Sequence, residues 1–247
     1  MTVAAEALPG VPEVRPGDDL AALLSAAAAR LPGGLGPGDV LAVAHKVVSK
    51  AEGRLVALAD VTPGERARAL AAEHGKDPRV VEVVLSEAVE LVRADAGRLI
   101  ARTRHGFVCA NAGVDASNAG AADTLVLLPA DPDASARALR RRLGVGAVVV
   151  TDSFGRPWRI GQCEVAIGCA GLAPLEDWRG RPDAQGRTLA ATVIAVADEV
   201  AAAADLARGK DSREPAVRIR GLGRYVTAGE GPGAAALLRA LEDDLFR

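Results

Sequence analysis

GAVVVTDSFGRPWRIGQ, residues 146–162, decides how the rest of the chain is read. The valine-rich run Ala147–Thr151, opened by a glycine and too short for a helix, reads as a buried β-strand. It delivers Asp152 at its end, with Ser153 next and a glycine turn behind. An acid emerging from the carboxyl end of a buried strand beside a hydroxyl is a common setting for a hard-cation ligand, and Arg156 and Arg159 then face anionic groups. The competing reading is an Asx-turn that caps the strand, with both arginines solvated.

Working outward, Asp39-Val-Leu-Ala-Val-Ala44 is a second short apolar run and a second buried strand. Its chain continues through KVVSKAEGRLV, where Gly53 predicts a turn before another strand. Residues 1–16, with LPGVPEVRP, form an extended segment in which prolines forbid regular helix. Asp18 or Asp19 caps an alanine-rich helix that runs to about Leu31. Thr62-Pro-Gly-Glu65 matches a capping box, so a helix starts there, and a second follows Asp77-Pro78 through VVEVVLSEAVELV. Residues 98–110 read as strand with an RHG turn, LVLLP as a strand, and Asp133–Leu143 as a helix. The segment 188–204 is a long strand or a strand turning into helix, and a final helix lies near 233–243. Without a βαβ rhythm, a repeat or a linker, the expectation is an α+β protein of mixed sheets with flanking helices, one continuous unit over 1–247.

NAGVDASNAG, residues 111–120, holds one carboxylate, Asp115, among small residues with no basic neighbour in the stretch. Backbone N–H groups of the loop are one way to satisfy it. A bound cation is the other, with Asn118 on the same turn pointing toward a nucleotide.

Of thirty basic residues, only Lys46, Lys50, Lys76 and Lys210 are lysines. Two lie in KVVSK and one in ARGKDS. A lysine is a compact point charge suited to a phosphate oxygen in a tight site, although surface retention by chance accounts for any one of them equally well. No GxxxxGK[ST] or GxGxxG pattern occurs, so any phosphate site is assembled from scattered elements: Lys50, the Gly209-Lys210 loop and metals.

The bulk composition bounds the function. Hydrophobic residues make up 49% but aromatics 2%, so the core must be built of Ala, Val and Leu. A net charge of −2 and a scarcity of stacking aromatics argue against nucleic acid as partner. No signal-peptide pattern and no membrane-length apolar run is found, which predicts a cytoplasmic protein without a membrane partner. Cys109, Cys163 and Cys169 form no C-x2-C and read as reduced apolar residues.

The motifs taken together resemble one family, the coenzyme F420-0:L-glutamate ligases, which add glutamate to the deazaflavin coenzyme F420. The blocks that carry the resemblance are GVPEVRPGDD (10–19), VVSKAEGR (47–54), NAGVDASN (111–118), TDSFGRPWRIGQ (151–162), AIGCAG (166–171), DWRGRPDAQGR (177–187) and ADEVAAAADL (197–206), in the family's order and nearly end to end. The resemblance implies α+β proteins that assemble as intertwined homodimers and use GTP, Mg2+ or Mn2+, and K+. It places Asp115 and Asp152 on the family's metal-binding aspartates, and Ser153 on a metal-ligand position usually held by threonine. Lys50 and Asn118 fall on nucleotide contacts, as does His45, which stands where relatives have serine. Val11, Pro12, Glu13 and Val14 match an amino-terminal segment that contacts GTP. Leu206, Ala207, Arg208, Gly209, Lys210, Asp211, Ser212 and Arg213 match a nucleotide loop that carries more glycines in some relatives.

In many relatives a nitroreductase-like domain follows; the expectation here is the ligase domain alone. The implied reaction phosphorylates a carboxylate of F420-0 from GTP, and the amine of L-glutamate then displaces phosphate, with no protein nucleophile required. Arg156 and Arg159 are candidate substrate contacts from charge and position only. The alternatives are an amide ligase or phosphotransferase acting on a different carboxylate, or a GTP-binding protein without catalysis.

Overall fold

The computed structural model describes residues 2–117, 119–120 and 122–244. Its strands are β1 (Ala4–Ala7), β2 (Val40–Ala44), β3 (Leu55–Ala57), β4 (Ala88–Asp95), β5 (Arg98–Thr103), β6 (Val108–Ala110), β7 (Thr124–Val126), β8 (Ala147–Arg156), β9 (Arg159–Ala170), β10 (Glu176–Asp177), β11 (Val193–Ile194) and β12 (Ala216–Arg220). Its helices are α1 (Leu20–Ala28), α2 (His45–Ala51), α3 (Glu65–His74), α4 (Pro78–Glu87), α5 (Pro132–Leu143) and α6 (Val196–Leu206). This is the mixed α+β architecture expected from the sequence.

The central sheet has the order β1-β12-β2-β8-β9, and β2 and β8 are its parallel pair, with Val40 opposite Ala147 and Ala44 opposite Thr151. Both strands are buried on both faces, which explains why each reads as a continuous apolar run. Alternate residues serve separate cores: Leu41, Val43, Val148 and Val150 pack with Leu24 of α1 and Leu139 of α5. Val40, Ala42, Ala147 and Val149 pack with Val196, Ala197, Val200 and Ala204 of α6. At Gly168 of β9 a Cβ would collide with the Pro132 carbonyl oxygen, so only glycine lets the start of α5 lie so close to the sheet. A third core joins α3 and α4 to the sheet β4-β5-β6 through Leu58, Ala67, Val81, Val84, Leu99 and Leu125.

Local signals place several boundaries as expected. Asp19 caps α1 by accepting from the Ala22 N–H at 3.0 Å, and Asp77 caps α4 with Pro78 in its first turn. Elsewhere tertiary context overrides the local pattern. The segment Thr62–Glu65 is no capping box: Gly64 is the N-cap of α3, and its N–H donates to Glu82 of α4 at 2.7 Å. Helix α4 stops at Glu87 and the chain becomes β4, because the buried Glu87 carboxylate is held by Arg54 and Arg104 and the residues beyond it, Ala88, Glu90, Leu91 and Arg93 to Asp95, pair with β5. No glycine turn follows Ser153; β8 runs on to Arg156 and reverses at Pro157-Trp158. The segment 188–204 resolves into the two-residue β11 and α6. The expected final helix is only two 3-10 turns, Ala234–Leu237 and Leu241–Asp243. Ala234 alone of these is buried, and so short a helix without a packed face is marginal. No helix among the described residues is long and apolar enough to cross a membrane.

Candidate active site

The parallel register of β2 and β8 sets the site. Ala44 lies opposite Thr151, so the next residues of both strands, His45 and Asp152, emerge side by side at the carboxyl end of the pair. The His45 Nε2 atom lies 3.2 Å from Asp152 Oδ1, close enough for a charge contact but outside hydrogen-bond alignment. Asp152 also accepts from the Ser153 N–H at 2.8 Å.

Asp115 arrives from a different part of the chain. It is fixed by paired backbone hydrogen bonds with Val126 at 3.0 and 2.8 Å. The chain reaches it through Asn111, Ala112 and Gly113, three successive residues with φ of 53°, 52° and 73°. At Gly113 a side chain would run into Leu128, and the two left-handed non-glycine residues before it are strained backbone beside the cleft. Asp115 and Asp152 line the same cleft, of about 220 Å3, together with Cys109, Asn111, Ser153 and Gln162.

The missing counter-charge of Asp115 is Lys46, in the first turn of α2, whose Nζ lies 2.5 Å from Oδ2. Lys46 also donates to Ser117 Oγ at 2.6 Å, and the Ser117 N–H donates to Asp115 at 2.7 Å. Partial burial pushes the Asp115 carboxyl up, but Lys46 and Ser117 outweigh it and hold the group below its ordinary value.

The other expected residues divide by position. Val11 and Val14 are buried in the main core, leaving Pro12 and Glu13 outside; Glu13 pairs with the buried Lys50 ammonium, with Gly120 beside both. Leu206 is exposed and Ala207 ends α6. Arg208 turns inward, whereas Lys210 donates to Ser153 Oγ at 2.7 Å. Gly209 accepts a turn bond from Ser212, and Asp211, Ser212 and Arg213 are exposed. Asn118 lies outside the described residues. Arg156 spends its guanidinium on the Ile160 and Gly161 carbonyls within its own hairpin, and neither it nor the exposed Arg159 lines the cleft.

Two participants escaped the sequence reading, Lys46 and Glu164. The first had a signal in the scarcity of lysine. The second is an acid inside the apolar run CEVAIGCA, where an unpaired carboxylate is not tolerated.

Two carboxylates and a hydroxyl on one cleft form a hard-oxygen donor set that fits Mg2+ or Mn2+. Among the described residues no cluster of three or more His, Cys, Asp or Glu could complete a coordination shell. A cation held by one or two carboxylates and completed by phosphate and water is the usual way magnesium binds in phosphoryl-transfer sites.

Over residues 10–221 the chain matches the profile of the family described as F420-0:gamma-glutamyl ligase. The chain belongs to this family. A protein of Methanopyrus kandleri named coenzyme F420:L-glutamate ligase is 49% identical, with 100% of this chain and 98% of that protein covered. Proteins of the same name from Methanothermobacter thermautotrophicus and Natronomonas pharaonis are 44% and 46% identical, covering 96% and 98% of this chain and 96% and 93% of theirs.

Cys109 supplies a check on the cleft that is independent of activity. Burial, with Asp152 adding to it, pushes its thiol up to about 12, and burial does the same for Cys169. A thiol is alkylated through its thiolate. Iodoacetamide at pH 8 is therefore expected to label the half-buried Cys163 in the native protein and to reach Cys109 and Cys169 only after denaturation, as read by peptide mass spectrometry. Native labelling of Cys109 at the rate of Cys163 would contradict this cleft wall.

Proposed function

We propose that this member of the F420-0:gamma-glutamyl ligase family joins L-glutamate to coenzyme F420-0 in coenzyme F420 biosynthesis, using GTP to activate the acceptor carboxylate. The observation that carries the GTP- and metal-dependent form of this reading is the meeting of Asp115 and Asp152 on one cleft, with Ser153 and Lys210 beside Asp152. A carboxylate is inert to amines, so the γ-phosphoryl of GTP is transferred to it, giving an acyl phosphate and GDP. The glutamate amine then forms the amide bond, and phosphate leaves with the carbonyl carbon's bond to it broken and one proton released. Asp115, Asp152 and Ser153 would hold Mg2+ or Mn2+, which when bound supplies positive charge to phosphate oxygens.

The chain's own residues do the remaining work. Lys210 stands where its ammonium can steady a phosphate oxygen beside Ser153. Lys50, buried and bridged to Glu13, anchors the amino-terminal segment against α2 and offers a second point charge. His45 shields Asp152 from solvent on the side of α2. The same reading carries a homodimer: Trp158 and Ile160 at the β8–β9 hairpin tip are 81% and 100% exposed, an apolar surface that a second copy would cover.

The test is incubation with F420-0, L-glutamate, GTP and Mn2+, followed by mass spectrometry of the deazaflavin. A glutamylated product formed with stoichiometric GDP supports the reading, and GTP hydrolysis without that product refutes it. Lys50→Ala is expected to weaken GTP binding by about 10- to 100-fold, the scale of one charge-assisted contact. An unchanged Kd by titration calorimetry would remove Lys50 from the nucleotide site.

A further inference from the structure

Glu164 is a buried carboxylate on β9, and its two oxygens are divided between two partners. It stands opposite Ser153 in the β8–β9 register. Its Oε1 accepts the Ser153 hydroxyl at 2.6 Å, and its Oε2 accepts from Arg208 Nη2 at 3.0 Å. Both side chains of the ion pair are less than a tenth exposed. Arg208 also donates to Thr151 Oγ1 at 3.1 Å and to the Pro215 carbonyl at 3.0 Å. Two residues further on, Lys210 returns to Ser153 Oγ at 2.7 Å. The loop that leaves α6 is thereby closed on the strand that carries Asp152 and Ser153.

We propose that Glu164 is a positioning residue for the ligase reaction: through Ser153 it keeps a lone pair of the hydroxyl free for the cleft, and through Arg208 it sets where the Gly209-Lys210 loop stands. The inference rests on the reading of Ser153 as a cation ligand. A serine hydroxyl has one proton and two lone pairs. With the proton committed to a buried carboxylate and one lone pair accepting from Lys210, the second lone pair is left as the acceptor that a cation requires. Outer partners of this kind orient metal ligands, and their removal lowers metal affinity by roughly 10- to 100-fold. The resemblance placed Arg208 in the nucleotide loop; its guanidinium is spent inside the protein, so it tethers that loop and Lys210 is the residue left to meet phosphate.

Glu164→Gln preserves volume but turns an amide NH2 toward either Ser153 or Arg208. Glu164→Asp keeps the charge opposite Arg208 while shortening the reach to Ser153. Mn2+ binding to the GDP-loaded protein, measured from the EPR signal of free Mn2+, is expected to weaken about tenfold or more in each, with KM for L-glutamate unchanged. In a Ser153→Ala background, Glu164→Asp is expected to add about twofold or less, because the route through the hydroxyl is gone.

Unchanged Mn2+ affinity in either folded variant, or a full effect surviving in the Ser153→Ala background, overturns the proposal. Loss of fold in both variants, seen by circular dichroism, assigns Glu164 to stability alone and overturns it equally. The binding measurement needs no F420-0, so wild-type protein that binds Mn2+ yet forms no glutamylated product would refute the activity and leave the Glu164 comparison intact.

Discussion

Replacing Asp152 by Asn is expected to lower glutamate-ligation turnover by about 10^3-fold, a loss of ~4 kcal/mol of transition-state stabilisation. The substitution keeps the shape of the side chain and removes only its charge. Among the described residues that charge has no lysine or arginine partner; the Asp152 carboxylate accepts from the Ser153 N–H and approaches His45. An Asn carbonyl can still accept from Ser153, so the fold should hold, with the Tm within a few degrees of wild type. What the amide cannot do is neutralise a cation beside a phosphate chain. The expected signature is a fall in kcat that raised Mn2+ only partly restores, and turnover near wild type would remove Asp152 from the site. His45 is the control: it touches Asp152 from α2 without lining the cleft, so His45→Ser is expected to cost far less.

How far the site was legible from sequence follows from what each residue depends on. The two central strands are readable because double-sided burial forces nearly every position of VLAVA and AVVV to be apolar, leaving an acid conspicuous where the run ends. Capping by Asp19 and Asp77 is legible for the same local reason. Helix α4 deceived because VVEVVLSEAVELV keeps its valines and leucines through a change of period; the pairing of Arg98–Thr103 with Ala88–Asp95 decides it, and that partner lies beyond the local window. The hairpin was misplaced by a glycine that sits inside a strand, since Gly155 pairs with Gln162 and the reversal falls at Pro157-Trp158.

In the site, Asp115 and Asp152 could be named as chemistry-bearing residues, but their meeting depends on β7, β8 and the left-handed run at Asn111–Gly113, none of which has a spacing rule. Glu164 stands out as an acid in an apolar run, but its role is hidden for a related reason. Its partners, Ser153 and Arg208, are set by strand register and by the exit angle of α6.

Asp115→Asn is expected to cost turnover on the same scale as the Asp152 substitution, about 10^3-fold, but with a different accompanying signature. Asp115 already has a counter-charge, the Lys46 ammonium at 2.5 Å, so a divalent cation arriving at Asp115 must displace or share that partner. The two halves of the pair should therefore respond with opposite sign in the nucleotide-free protein. Asp115→Asn weakens Mn2+ binding, whereas Lys46→Met, by removing the competitor, strengthens it a few-fold, the scale of a half-exposed ion pair worth ~0.2–1 kcal/mol. A pair that served stability alone would lower the Tm in both variants and leave Mn2+ affinity untouched.

The pH dependence separates the cases further. Lys46 and Ser117 depress the Asp115 carboxyl, so its stabilising contribution is fully present above its unfolded value and is lost as pH falls through the folded one. In Lys46→Met, burial acts with less opposition, so the carboxyl shifts upward toward its unfolded value and the stability that apo-protein loses on acidification should be smaller than in wild type, as read by thermal melts across an acid series. Tighter Mn2+ binding together with that smaller loss is the outcome only a cation-competing lysine produces. Unchanged Mn2+ affinity in Lys46→Met would leave Lys46 as a structural partner and return the question of what neutralises Asp115 to the loop that carries it.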